Sequence, residues 1–140
     1  MSRVFWDTNL FVYLLEGSGA QTDRVRDIYL RMMERGDELL TSTMTLGEVL
    51  VKPRELRNHD LAQRYEQILL RSARLIPFDL AAAGQYSLIR ADRTISPPDA
   101  IQLACAASAR IDLFIPADNR LSRKSVNGIQ FVASLERAFL

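Results

Sequence analysis

Short apolar runs that end in polar or acidic residues alternate along this chain with longer stretches whose apolar positions recur at helical spacing. Val4-Phe5-Trp6 is the first run. It ends at Asp7, and Leu10, Phe11, Leu14 and Leu15 follow on one helical face, so the pattern predicts strand, turn, helix. Residues 16–20 read as a loop by their glycines. A second helix, capped by Thr22 or Asp23, carries the stripe Val25, Ile28, Tyr29, Met32 and Met33 and ends at Gly36. Leu39-Leu40-Thr41 predicts a second strand, and residues 42–51 lead into a third helix that Pro53 stops, followed by a polar loop over 54–58. A fourth helix places Leu61, Tyr65, Ile68 and Leu69 on one face, and Leu75-Ile76-Pro77-Phe78 is a third strand.

Asp79 is placed to cap an Ala-rich helix running to about Arg90. Pro97-Pro98-Asp99 opens another, with Ala100, Ile101, Leu103, Ala104 and Ala107 as its buried side, residues small enough to let a helix lie close against a sheet. Leu113-Phe114-Ile115 is a fourth strand, residues 120–124 a short helix or turn, and Ile129-Gln130-Phe131-Val132 a candidate last strand before a terminal helix through Leu135 and Phe139. Strands alternating with helices imply an α/β protein of three layers: a largely parallel central sheet of four to five strands with helices on both faces.

The 140 residues, 48% hydrophobic and 25% charged, suit one domain over 1–140 with one core. No run approaches the roughly 18 apolar residues of a membrane span, and no basic-then-apolar leader opens the chain, so a cytoplasmic protein without membrane association is expected. Cys105 is alone in an apolar helix and reads as a small core residue. His59 is also alone and is expected on the surface near a helix start, which argues against a zinc site or a His-based triad. The net charge of +1 argues against a general polyanion binder. Any nucleic-acid contact must come from local groups, and Arg54 with Arg57, and Arg120 with Arg123 and Lys124, flank two of the acids considered next.

Asp7, Glu48, Asp99 and Asp118 each have an ordinary structural explanation. Asp7 and Asp118 suit N-caps, Glu48 fits a capping box with Thr45, and Asp99 fits a first helical turn. As a set they are less ordinary. Three directly follow a strand or open the helix after one, and Glu48 comes one turn into its helix, so a parallel sheet would gather them at the edge where α/β folds place ligands. Carboxylates in one cleft repel and take up protons unless a cation neutralises them. Mg²⁺ or Mn²⁺, which prefers carboxylate and water oxygens, is the natural partner.

Val4-Phe5-Trp6-Asp7-Thr8-Asn9, Thr45-Leu46-Gly47-Glu48-Val49, Pro98-Asp99-Ala100-Ile101-Gln102-Leu103-Ala104 and Ala117-Asp118-Asn119-Arg120 resemble, in order and spacing, the four acidic motifs of PIN-domain ribonucleases, above all the VapC-type toxins of prokaryotic toxin-antitoxin pairs. The resemblance implies an endoribonuclease in which Asp7, Glu48, Asp99 and Asp118 coordinate Mg²⁺ or Mn²⁺, with Thr8 and Asn9 supporting the first acid by hydrogen bonding. It also implies a homodimer and a small antitoxin partner. Pro116 stands where the family often carries a Thr or Ser, which removes a hydroxyl beside Asp118. A haloacid-dehalogenase-type phosphatase would need a second acid at position 9, which is Asn, and a receiver domain would need an acidic pair after its first strand. The remaining alternative is a PIN-like interaction module with weak or no nuclease activity.

Overall fold

A computed structural model of the chain describes residues 1–138. Its centre is β1 (Arg3–Trp6), in which Val4, Phe5 and Trp6 are fully buried: a strand covered on both faces needs an unbroken apolar run. It is flanked by β2 (Glu38–Ser42) and β4 (Ile111–Ile115), with β3 (Arg74–Ile76) and β5 (Ile129–Val132) at the edges. All pairings are parallel and the strand order is β3-β2-β1-β4-β5. The fold is thus the expected three-layer α/β sheet, with five strands.

Alternation along the strands separates two core clusters where one was expected. Val4 and Trp6 face α1 (Thr8–Glu16), α2 (Ala20–Arg35) and α5 (His59–Ser72), joining Leu10, Phe11, Val25, Ile28, Met32 and Leu69. Phe5 faces the other way, onto Phe114, with ring centroids 5.2 Å apart, under α6 (Leu80–Ile89) and α7 (Pro97–Ala109). Small residues bring α7 close: Ala100, Ala104, Cys105, Ala106 and Ala107 are all buried in it, Cys105 as expected. Ile101, expected on that buried side, is only half-buried.

Several local expectations change. Thr22 and Asp23 do not cap α2, whose N-cap position is Gly19, with no side-chain cap; the Thr22 hydroxyl instead donates to Tyr13 O at 2.9 Å and ties α2 to α1. Pro53 does not end a helix. The break falls at Leu50, between α3 (Thr43–Val49) and α4 (Val51–Glu55), and Pro53 occupies the first turn of α4, where a missing N–H leaves no helical bond unmade. Residues 54 and 55 are therefore helical rather than loop. Ser42, not Thr45, caps α3, accepting from Thr45 N, so the capping box with Glu48 is absent. The chain after β5 forms a turn over 135–137 rather than a terminal helix; Phe139 lies outside the described residues. His59 is exposed at the start of α5, as expected.

The Met and Tyr stripes expose less apolar surface than the sequence suggests. Met32 and Tyr65 are buried and Tyr29 is half-buried, which leaves Met33 and its neighbour Leu30 as the exposed part of α2. No helix among the described residues is long and apolar enough to cross a membrane.

Candidate active site

The strand order places the reversal of direction between β1 and β4, and the crevice at the carboxyl ends of such a pair is where open parallel sheets bind ligands. Asp7 sits there. Its backbone N donates to Ile115 O at 3.1 Å, continuing the β1–β4 ladder past the strand end. Its side chain caps α1, Oδ1 accepting from Thr8 N (2.8 Å), and Oδ2 accepts from Ala117 N (3.1 Å) on the far side of the crevice. Two backbone donors thus lock a buried carboxylate in one orientation.

Glu48 approaches from α3 and Asp99 from the first turn of α7, and with Asp7 they line one cavity of about 150 Å³ that also includes Thr8, Asn9, Gln102 and Ala117. Burial pushes the Asp7 carboxyl above its ordinary value, and the negative charges of Asp99 and Glu48 push the same way against the two backbone donors. Three of the four expected acids are therefore together.

Asp118 is not among the residues lining that cavity. It caps a 3₁₀ helix (Asn119–Arg123) through Arg120 N, and its Oδ2 accepts from Arg120 Nε and Nη2 at 2.8 and 2.6 Å. These hydrogen bonds hold the Asp118 carboxyl below the usual range. They also raise the Arg120 guanidinium, to which the charge of Asp99 contributes in a smaller degree, so the pair lies within electrostatic reach of the acidic cavity.

The supporting residues divide. The Thr8 hydroxyl serves Glu48 rather than Asp7, donating to Oε1 at 2.6 Å, while Thr8 reaches Asp7 through its backbone N–H. Asn9 lines the cavity but makes no side-chain hydrogen bond to Asp7 among the described residues. Behind them is a group that reading for charges passed over: Thr41, Ser42, Thr45 and Gln102, all fully buried or nearly so. Gln102 Nε2 donates to Thr8 Oγ1 (3.0 Å) and Thr45 Oγ1 (2.8 Å), its Oε1 accepts from the Ser42 hydroxyl, and Thr41 Oγ1 lies 2.8 Å from both Trp6 O and Thr45 Oγ1. A lone amide in an Ala-rich apolar stretch, three residues after Asp99 and hence on its helix face, was the available signal.

The candidate cationic residues are scattered. Arg54 lies on α4, which continues directly from the Glu48 helix, and is 3.4 Å from His59 Nδ1; Arg57 follows in the turn after it. Arg123 and Lys124 line a different cavity, with Asp92 and Ile95. Lys124 Nζ is engaged there by Asp92 Oδ2 (2.9 Å) and Thr94 Oγ1 (2.6 Å). The Thr94 hydroxyl, and after it Lys124, pull the Asp92 carboxyl down to about 2 from 3.8. A carboxylate depressed in the folded state adds stability above its unfolded pKa and loses it as the pH falls through the folded one. Asp92→Asn is therefore expected to flatten the fall in melting temperature between pH 4 and pH 2; melts of the two proteins across that window check it.

A buried carboxylate held by two backbone donors, with two more acids beside it at the switch point of an all-parallel sheet, defines a class of acidic-site α/β proteins. The sequence matches the PIN domain family over residues 4–127, and the chain belongs to that family. No curated protein matches it in sequence. Among solved structures it is similar to a chain of VapBC2 from Rickettsia felis bound to a promoter DNA fragment (14% identity, TM-score 0.74, covering 94% of this chain and 98% of that one). It is likewise similar to a chain of DNA-bound VapBC from Salmonella typhimurium (18%, 0.73, 96% and 99%) and one of a Klebsiella pneumoniae toxin-antitoxin complex (21%, 0.66, 90% and 94%). At these identities the likeness establishes the fold.

Proposed function

We propose that this chain is a metal-dependent endoribonuclease and the toxin of a VapBC-type toxin-antitoxin pair. The observation that carries the reading is the convergence of Asp7, Glu48 and Asp99 on one cavity at the carboxyl end of β1. Membership of the PIN family and the likeness to chains of toxin-antitoxin complexes support it.

The donors fit a hard divalent cation. All are carboxylate oxygens, each oxygen of Asp7 keeps a second lone pair beyond its backbone bond, and a cation would relieve the burial and like-charge repulsion that raise the Asp7 carboxyl. Asp7, Glu48 and Asp99 would hold it, with Asp118 joining when Arg120 releases it. Bound Mg²⁺ or Mn²⁺ would supply Lewis acidity toward the phosphate and a more acidic water. The chain's own part is positional: Asp7 stays fixed through Thr8 N and Ala117 N, and Glu48 stays oriented by the Thr8 hydroxyl with Oε2 free among the described residues. Hydrolysis by water needs no 2′-hydroxyl and leaves 5′-phosphate and 3′-hydroxyl ends.

One observation favours the interaction-module reading. Among the described residues no group of three or more His, Cys, Asp and Glu side chains is arranged to hold a metal ion, so with Asp7 and Glu48 held by their hydrogen bonds ligation would need the Asp99 side chain to rotate. Incubating RNA with the purified chain, stripped of co-purified partner, with and without MnCl₂ separates the two. Manganese-dependent cleavage with 5′-phosphate ends supports the nuclease, and intact RNA supports the module.

An antitoxin would block the acidic cavity with an Arg or Lys, and the toxin is expected to be a homodimer; co-expression with an adjacent reading frame and light scattering test both. Arg54 and Arg57 are the RNA contacts proposed beside the Glu48 helix, with Arg120, Arg123 and Lys124 on the Asp118 side. Arg54→Gln with Arg57→Gln is expected to weaken RNA binding and flatten the salt dependence by about 0.7 in slope per lost phosphate contact. An unchanged slope removes them from the interface.

A further inference from the structure

Glu48 is an exposed residue on a short helix, yet its carboxylate is held in a single place. Among the described residues its one hydrogen bond is to the Thr8 hydroxyl, at 2.6 Å. Thr8 has one proton to give and two acceptors in reach, Glu48 Oε1 at 2.6 Å and Thr45 Oγ1 at 3.2 Å, and the group donating to its oxygen favours the first. Gln102 Nε2 donates to Thr8 Oγ1 at 3.0 Å and so turns the hydroxyl proton outward, onto Glu48.

Gln102 is itself unable to turn. It is 1% exposed, its Oε1 is taken by the Ser42 hydroxyl and its second amide proton by Thr45 Oγ1, while Ser42 Oγ accepts from Thr45 N. Reversing the amide would set the NH₂ against the Ser42 hydroxyl, which already accepts from Thr45 N, and would turn Oε1 toward Thr8 Oγ1, drawing the Thr8 proton away from Glu48. A buried network whose every atom is satisfied in only one orientation is rigid.

We propose that Gln102 is the positioning residue for Glu48, acting through the Thr8 hydroxyl. Since α7 also carries Asp99 directly, one helix then sets two acids of the cavity: Asp99 by its backbone and Glu48 by this relay across the sheet end. The inference rests on the nuclease reading in so far as Glu48 is a cation ligand.

The test is a double-mutant cycle read by calorimetric titration of the chain with MnCl₂ alone, with thermal melts alongside. Gln102→Met keeps length and removes the hydrogen bonds. It is expected to weaken Mn²⁺ binding about tenfold, the lower end of what outer-shell partners contribute, and to add no loss in a Glu48→Gln background. Equal losses in both backgrounds, or no loss in a folded Gln102→Met protein, overturn the proposal. Thr8→Val breaks the same relay from its other end and carries the cycle if Gln102→Met does not fold. Crystal structures without metal decide independently: Glu48 Oε1 should leave Thr8 Oγ1 when Gln102 is replaced, or leave residue 8 in Thr8→Val, and a retained Glu48 position in the variant overturns the proposal. A wild-type chain that binds no Mn²⁺ defeats the nuclease reading, and the crystal comparison still judges the relay.

Discussion

Asp99→Asn is expected to lower manganese-dependent RNA cleavage by more than about 100-fold, since even outer-shell partners of a metal are worth 10–100-fold, while leaving stability within about 1 kcal/mol of wild type. The variant is clean because the Asp99 side chain makes no hydrogen bond among the described residues; only its backbone N is engaged, by Ser96. Two small effects on stability oppose each other. Removing a carboxylate from the first turn of α7 costs about 0.3–1 kcal/mol, and relieving the repulsion on Asp7 offsets it. Asp7→Asn should also abolish cleavage, but it is a poorer test. Asn offers one acceptor where Thr8 N and Ala117 N each need one, so a buried N–H loses its partner.

The same variant reports on the site without metal. The Asp7 carboxyl is raised first by burial and then by Asp99 and Glu48, so in Asp99→Asn it should fall part of the way back and stay above its ordinary 3.8. The sign for stability follows. A carboxyl whose folded pKa exceeds the unfolded one opposes folding as it ionises, so the metal-free protein gains stability as the pH drops through the raised value toward 3.8. That gain should be smaller in Asp99→Asn. NMR titration of the Asp7 carboxyl measures the shift, and retained cleavage in Asp99→Asn would remove the acids from the mechanism.

How much of this was legible in the sequence depends on the range over which each feature is determined. Asp79 capping α6 and Gly36 ending α2 in a left-handed conformation are local, set by a residue type against its neighbours, and the sequence shows them. The strand runs, save that the third ends at Ile76 and leaves Pro77 and Phe78 outside it, and the gathering of Asp7, Glu48 and Asp99 were also readable, because in a parallel sheet every strand's carboxyl end points to one edge. Strand order was not, since no residue pattern says which buried run lies beside which.

The misplaced caps show the next limit. Ser42 and Thr45 are both hydroxyls near the start of α3, and only the strand end decides that Ser42 caps while Thr45 turns inward to Gln102. Gln102 itself was written in the acidic motif, yet its role depends on Thr8, Ser42 and Thr45, up to 94 residues away. Likewise Asp118 carries the right residue at the right spacing, and an arginine two residues on decides where its carboxylate points.

Gly128→Ala is expected to destabilise the fold by about 3 kcal/mol or more, among the largest single-residue effects available outside the core. Gly128 has φ near +96°, a conformation that costs an L side chain about 1–2 kcal/mol, and a Cβ there would lie 2.6 Å from Ala107 O and 3.1 Å from Ala107 Cα. Both contacts are backbone of α7, so no side chain can swing aside. Nor can the turn retreat freely, because Gly128 O accepts from Ile111 N at 3.0 Å and Ile129 next to it opens β5. The strain must move either that turn or the end of the helix that carries Asp99 and Gln102. Gly84→Ala is the control: it lies on α6 with open space where its Cβ would go, and it should stabilise by roughly 0.5–1 kcal/mol as alanine replaces glycine in a helix. Denaturant unfolding of both variants gives the answer by its signs. A Gly128→Ala chain as stable as wild type would mean that β5 and its turn are not pinned against α7 in solution.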